Sequence, residues 1–165
     1  MTLADCDRVA EIRVRGWQHA YRGMIPRSYL DGLSVARDAE RRREQLARAD
    51  AAVVNLVAED AGGEVVGWSC HGPYRDGEVL TGDAELYALY VHPDRLDRGA
   101  GRALLAESLA RCAAAGHGRL LLWVLKENVR ARRFYERAGL RPDGAEEPFE
   151  VEGVAVPEVR YALVL

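Results

Sequence analysis

One stretch, residues 84–105, constrains the fold more than any other part of this 165-residue chain. It begins with an almost uncharged run of β-branched, aromatic and leucine residues, which predicts a buried strand. The strand is predicted to end at His92-Pro93-Asp94, because a proline cannot continue a ladder of hydrogen bonds. Gly99 and Gly101 follow, and residues 103–115 predict an amphipathic helix. This order predicts a pyrophosphate site, since main-chain N–H groups and the positive end of the helix dipole converge there.

The rest of the chain predicts one α/β domain over residues 1–165, without repeats or linkers. Hydrophobic periodicity and turn residues predict helices over residues 7–21, 35–49, 99–115 and 128–138. They predict strands over residues 52–59, 64–71, 78–91, 119–125, 140–142 and 154–165, the last of which is open to a break at Pro157. Residues 72–77 and the acidic segment 143–153 are predicted loops.

Composition and charge argue against several classes of function. A net charge of −3 gives no electrostatic reason to expect a nucleic-acid partner. The three cysteines are widely spaced and odd in number, so neither a disulfide framework nor a metal site is expected, which fits a reducing cytoplasm. No apolar run approaches ~18 residues, so no membrane span is expected, and two early aspartates argue against a signal peptide.

Three motifs carry a resemblance to a known family. LYALYVHPDRLDRGAGRALL, residues 86–105, is similar to the pyrophosphate loop and preceding strand of the GNAT superfamily of acyl-CoA-dependent N-acetyltransferases. NVRARRFYERAGL, residues 128–140, is similar to that family's asparagine and FYE motif, and the segment from Trp17 to Gly23 resembles its substrate-side helices. The resemblance implies an α/β (α+β) fold: a central mixed, mostly antiparallel twisted sheet, splayed at the middle, with about four helices on its two faces.

The chain departs from the family pattern in two places. Leu96 stands where the family usually has Arg or Gln, with Arg95 and Arg98 on either side. Because main-chain N–H groups supply much of the grip in such loops, we expect CoA binding to survive. The family's first strand is missing or reduced to residues 1–3, which predicts an open sheet edge or a strand supplied by a partner, as in a homodimer.

The resemblance implies roles in moving an acetyl group from acetyl-CoA to an amine. The N–H of Leu89 is the candidate oxyanion donor, and Leu89, Tyr90 and Val91 are expected to hold the pantetheine arm by their backbone. Tyr135 is the candidate proton donor to the departing thiolate, and Asn128 is expected to cap its helix and touch the arm. The pyrophosphate would be held by residues Asp97, Arg98, Gly99, Ala100, Gly101 and Arg102.

The acceptor side of the site is less constrained. Glu85 is the candidate general base, because some family members carry a catalytic glutamate at this place on the strand. Regular alternation would put Glu85 on the same face as Leu89, ~13 Å away, so that it would act through water. A solvated or salt-bridged carboxylate is an equal interpretation. Trp17, Tyr21 and Tyr29, together with Glu85, are the candidate acceptor-binding residues.

These inferences predict a cytoplasmic, metal-free, acetyl-CoA-dependent N-acetyltransferase acting on a primary amine of a small molecule or a peptide N-terminus. Direct attack in a ternary complex is expected, because no cysteine falls near the site. Two alternatives stay open at this point. One is a non-catalytic acyl-CoA-binding or regulatory module of the same fold. The other is a Rossmann-like nucleotide-binding protein, already disfavoured because Leu104 replaces the third glycine of GxGxxG.

Overall fold

The computed structural model of the protein describes residues 1–48, 52–77 and 79–165. The predicted end of the second helix, residue 49, and the predicted start of the third strand, residue 78, lie outside the described residues. The helices are α1 (Cys6–Ala20), α2 (Arg27–Asp31), α3 (Val35–Ala47), α4 (Ala100–Ala114) and α5 (Val129–Arg137). The strands are β1 (Val54–Glu59), β2 (Val65–Asp76), β3 (Val79–Val91), β4 (Arg119–Leu125), β5 (Arg141–Val151) and β6 (Val154–Val164).

The strands form one mixed sheet in the order β1-β2-β3-β4-β6-β5. Within the described residues, β3 and β4 pair in parallel and the other four neighbouring pairs are antiparallel. The mixed, mostly antiparallel sheet is therefore confirmed. The Rossmann alternative is wrong, because it requires a doubly wound parallel sheet. The first residues form a 3₁₀ turn, Leu3–Asp5, so β1 lies at one edge of the sheet.

Two apolar layers cover the two faces of the sheet. On the α4 face, which α4 and α5 cover, Leu105 and Tyr135 pack with Leu86, Leu120 and Leu122 of the sheet. On the α1 face, Val9 and Ile12 of α1 pack against Val65 and Trp68 of β2. Leu120 and Leu122 of β4 pack on the α4 face, whereas its Leu125 packs in the cluster that includes Trp17 of α1. β4 is therefore buried on both sides. No helix of the described residues is both long and apolar enough to cross a bilayer.

The sheet opens between its two parallel strands. β3 pairs with β4 at Ala84↔Leu120 and Glu85↔Leu121. Beyond Glu85, the described residues of the two strands form no further ladder pairs. We call this opening the interstrand cleft. It is the splay that the resemblance implied. The glycine loop (residues 97–102), β3 and α5 all border it. The fold therefore places the residues predicted to bind the acyl donor around one opening.

Two loop predictions are wrong. β2 runs on to Asp76 through the predicted loop 72–77. The acidic segment is a strand, because β5 pairs with β6 over residues 146–151 and the chain reverses at Glu152 and Gly153, both with positive φ. An edge strand depends on backbone hydrogen bonds and tolerates charged side chains. The acidic composition of β5 therefore predicted a loop where there is a strand. β6 continues through Pro157, which lies opposite Pro148.

Candidate active site

The glycine loop, residues 97–102, leads directly into the first turn of α4. Asp97 (φ 60°) and Gly99 (φ 93°) both adopt positive φ, and α4 begins directly afterwards at Ala100. The first N–H groups of a helix have no partner inside the helix, so they are available to an anion. A Cβ built on Gly101 would lie 3.6 Å from Val91 Cγ2 and 3.6 Å from Phe134 Cζ. The loop, the end of β3 and α5 therefore meet at Gly101.

Two surface ion pairs connect this loop and the segment before it to neighbouring elements. The Asp97 carboxylate lies 2.9 Å from a guanidinium nitrogen of Arg130 on α5, which offsets its negative charge beside the N–H groups. Arg95 lies 3.0 Å from a carboxylate oxygen of Glu64, which tethers the segment before the loop to the start of β2. Leu96 supplies no charge, so the positive character of the loop comes from its backbone and the neighbouring arginines.

The register of β2 and β3 decides which main-chain groups of β3 face the cleft. The His92 N–H donates to the Val66 carbonyl at 2.9 Å, and Trp68 lies opposite Tyr90. Hydrogen-bonded pairs alternate along an antiparallel ladder, so the N–H and C=O of Tyr90 point towards β2. Those of Leu89 and Val91 point the other way, into the cleft, where β4 does not pair with them. Tyr90 therefore has no backbone group free for the pantetheine arm.

A bulge in β3 separates two predicted site residues. The register changes between Cys70↔Ala88 and His71↔Leu86, which leaves one extra residue, Tyr87, on β3. Leu86 and Leu89 both pack on the α4 face, so Glu85 and Leu89 lie on opposite faces of the sheet. The prediction that they share a face is wrong, because the extra residue reverses the alternation beyond it.

Tyr135 and Asn128 occupy the α5 side of the cleft. Tyr135 is buried beside Phe134, with the ring centroids 5.2 Å apart. Burial, and then the nearby Tyr90, raises the pKa of the Tyr135 phenol, so it carries its proton at neutral pH. Asn128 Oδ1 accepts the Ala131 N–H at 3.1 Å and caps α5. Among the described residues, no hydrogen bond engages the Asn128 amide nitrogen, which leaves that donor for a ligand.

A pair of phenols lies on the other side of the cleft. The hydroxyls of Tyr21 and Tyr90 are 3.3 Å apart. Burial, and then Tyr90, raises the pKa of Tyr21 well above its ordinary range. Gly16 allows this arrangement, because a Cβ there would lie 3.1 Å from the Tyr90 ring. Trp17 Nε1 is buried close by with no hydrogen-bond partner in the described part of the chain.

The predicted aromatic acceptor residues form one wall. The Trp17 ring lies 5.0 Å from that of Tyr21 and 5.9 Å from that of Tyr29. Phe149 of β5, 6.0 Å from Trp17, joins the wall from the opposite end of the sheet. The Ser28 hydroxyl donates to a Glu152 carboxylate oxygen at 2.6 Å, so the α1–α2 segment and the β5–β6 hairpin are held together.

Two half-buried glutamates on the α1 face, Glu85 and Glu158, have raised pKa values. Burial, followed by repulsion from Glu147, raises the pKa of Glu85 to about 7, and Arg160 opposes this effect. Burial, followed by repulsion from Glu147 and Glu85, raises the pKa of Glu158 to about 7. Neither Glu85 nor Glu158 forms a side-chain hydrogen bond or ion pair with another described residue.

Sequence reasoning missed Glu158. The signal for it was that Glu158 is the only carboxylate in β6, a mostly apolar strand whose other charged residue is Arg160. The described residues contain no group of three or more His, Cys, Asp or Glu arranged to hold a metal ion.

Comparisons with known proteins agree with this architecture. The sequence model of the Acetyltransferase (GNAT) family matches residues 17–140. YuaI of Bacillus subtilis, an uncharacterised N-acetyltransferase, is 32% identical over 158 residues, which cover 95% of this chain and 86% of YuaI.

Two solved structures share the fold. The PaiA N-acetyltransferase of Thermoplasma acidophilum in complex with coenzyme A has a TM-score of 0.72 at 17% identity, covering 100% of this chain and 96% of that chain. The yncA protein of Salmonella typhimurium, with its cofactor acetyl-CoA, has a TM-score of 0.74 at 20% identity, covering 99% and 90% respectively. Taken with the family match, the motifs and the splayed sheet show that this chain belongs to the GNAT family of acetyltransferases.

Proposed function

We propose that this acetyltransferase moves an acetyl group from acetyl-CoA to a primary amine of a small molecule or a peptide, by direct attack while both substrates are bound. The observation that carries the proposal is the interstrand cleft. Free main-chain groups of Leu89 and Val91, the glycine loop and the Tyr135 phenol all border it. Proteins of the same fold have been solved with CoA or acetyl-CoA, which supports acetyl-CoA as the acyl donor.

The residues present suit each part of acetyl-CoA. Residues 97–102 offer main-chain N–H groups and the start of α4 to the pyrophosphate. Leu89 and Val91 offer strand-like hydrogen bonds to the amides of the pantetheine arm. The amide nitrogen of Asn128 is a further donor on the α5 side.

The chemistry requires an oxyanion donor and a proton for the thiolate. The Leu89 N–H would stabilise the charge that develops on the thioester oxygen, and losing one such donor costs about 10²–10³ in kcat. The protonated Tyr135 phenol would supply the thiolate's proton. A covalent cysteine route is disfavoured, because burial raises the pKa of Cys70 and of Cys112 to about 11, which keeps both thiols protonated.

The acceptor would enter from the α1 face. Trp17, Tyr21 and Tyr29 offer an aromatic wall to the carbon skeleton of an amine. The half-buried carboxylates opposite them favour an acceptor that arrives as a cation. Two further parts of the proposal stay predictions: a cytoplasmic location, and a homodimer that covers the open edge at β1.

A CoA-release assay tests the proposal. The protein is incubated with acetyl-CoA and a panel of polyamines, amino acid amides, aminoglycosides and short peptides, and free thiol is measured against a blank without amine. We expect at least one amine to raise CoA release above the blank. Saturable acetyl-CoA binding in calorimetry, without release by any amine, would overturn the transferase proposal in favour of a non-catalytic acyl-CoA-binding module.

A further inference from the structure

Strand register places Glu158 level with the predicted reacting centre. Glu85 lies opposite Leu121 of β4, at the closed end of the cleft, and Glu158 lies opposite Leu125, four residues further along β4. Four residues of strand span ~13 Å. Because β3 and β4 run in parallel, four residues along β3 from Glu85 lead to Leu89, to within the one bulged residue. Along the strand direction, Glu158 is therefore level with the predicted oxyanion donor, and Glu85 is level with the closed end of the cleft.

The Glu158 side chain faces the acceptor wall. Leu125, its partner in the ladder, packs in the same cluster as Trp17 and Tyr21, which puts this register position on the α1 face. Burial is the main reason that the pKa values of Tyr21 and Tyr90 are raised, and the negative charge of Glu158 adds to both. For Tyr90, the hydrogen bond with Tyr21, the charge of Arg13 and Trp17 act in the opposite direction. The carboxylate therefore interacts electrostatically with the phenol pair that borders the cleft.

Within residues 1–48, 52–77 and 79–165, no cationic side chain forms an ion pair or hydrogen bond with the Glu158 carboxylate. Glu147 on β5 and Glu85 on β3 are its acidic neighbours, and Tyr21 and Tyr90 are the facing phenols. The neighbouring cations are engaged elsewhere. Lys126 lies 2.8 Å from a Glu146 oxygen, and Arg160 lies 2.8 Å from an Asp143 oxygen and donates to the Tyr74 hydroxyl at 2.8 Å. A half-buried carboxylate in this setting lacks a cationic partner, and the ammonium of an acceptor has the required charge.

We propose that Glu158 takes the proton from the acceptor's ammonium, that Glu85 and Glu147 are the neighbouring charges that keep it basic, and that the site therefore selects alkylamines that arrive as cations. This inference rests on the proposed function. An alkylammonium with pKa ~10 must lose a proton before its nitrogen can attack.

The step balances in atoms and charge. R–NH₃⁺ gives one proton to the Glu158 carboxylate, and the freed nitrogen lone pair forms the N–C bond at the thioester carbon. The C–S bond then breaks, and the thiolate takes the Tyr135 proton. The nitrogen loses its second proton to restore the Tyr135 phenol, and Glu158 returns its proton to water. The products are R–NH–acetyl, CoASH and one proton.

The test compares pH profiles of kcat/KM for four matched variants, with the best amine of the panel. We expect Glu158→Gln to lower kcat/KM by about 100-fold, the lower end of what a general base contributes, and to remove the fall in rate below pH 7. Glu85→Gln and Glu147→Gln should keep that fall but move it to lower pH, because each removes a negative charge beside Glu158. Glu158→Asp, which keeps the carboxylate, should keep the fall as well.

Calorimetry with acetyl-CoA checks that each variant is folded, and we expect its Kd to change by less than about threefold. A Glu158→Gln enzyme with a near-normal rate and an intact fall below pH 7 would overturn the inference while the proposed function stands. Loss of the fall in Glu85→Gln instead would assign the base to Glu85. A wild-type protein that turns over no amine would remove the proposed function, and this inference with it.

Discussion

Glu85→Gln is expected to stabilise the protein at alkaline pH although Glu85 lies in the candidate active site. Folding raises the pKa of Glu85 from an ordinary 4.5 to about 7, mainly because the carboxyl is partly removed from water. Between these two pH values the folded chain keeps a proton that the unfolded chain has lost. The free energy of unfolding therefore falls as the pH rises through this window.

The size of the effect follows from the same values. At about 1.36 kcal/mol for each pH unit, moving this pKa from 4.5 to about 7 corresponds to at most about 3.4 kcal/mol. Glu85 keeps some contact with water, and part of the repulsion from Glu147 is screened, so we expect about 1–2 kcal/mol. Each kcal/mol corresponds to about 2–4 °C in Tm for a chain of this length.

Urea unfolding at pH 5 and pH 8 measures the difference. The wild type should lose about 1–2 kcal/mol more than Glu85→Gln between the two pH values. His71, buried beneath α4, has a lowered pKa and acts with the opposite sign, but it is present in both proteins, so the comparison cancels it. Glu40→Gln, at an exposed position of α3, is the matched control. Equal pH dependence in wild type and Glu85→Gln would refute the reasoning.

Substitutions at three further positions test the donor side of the cleft. Gly99→Ala should weaken acetyl-CoA binding in calorimetry at least fivefold, because a side chain at φ 93° costs about 1–2 kcal/mol; an unchanged Kd would contradict the role of the loop. Tyr135→Phe should lower kcat at least tenfold with little change in acetyl-CoA affinity, and equal turnover would show that the phenol is not the donor. Asn128→Ala should cost about 1 kcal/mol in thermal unfolding, since it removes the α5 cap, whereas Asn128→Asp should keep the stability and lose only the amide donor; similar losses in both would contradict this division.

Much of the donor side could be predicted from the sequence. Gly99 and Gly101 precede α4 as expected, Asn128 caps α5, and the residues around Tyr135 form one helix. These features depend on residues close together in the chain. The glycines allow a turn with positive φ, the Asn128 side chain reaches an N–H three residues ahead, and the helices repeat every 3.6 residues. The order of the motifs along the chain also pointed to the correct family.

The acceptor side could not be predicted to the same depth. Glu158 lies 73 residues from Glu85 in the sequence, and only the pairing of β3, β4 and β6 brings the two carboxylates to one face. The bulge at Tyr87 is a single extra residue that no local preference marks, yet it places Glu85 and Leu89 on opposite faces.

Residues close together in the chain were therefore enough to predict the glycine loop, the capped helices and the family, because short-range geometry and backbone preferences encode them. Which carboxylates lie on the same face of the sheet, and which N–H groups of β3 are unpaired, followed only from the folded sheet. Strand register is set by long-range pairing, and a shift of one residue reverses the direction of every side chain beyond it.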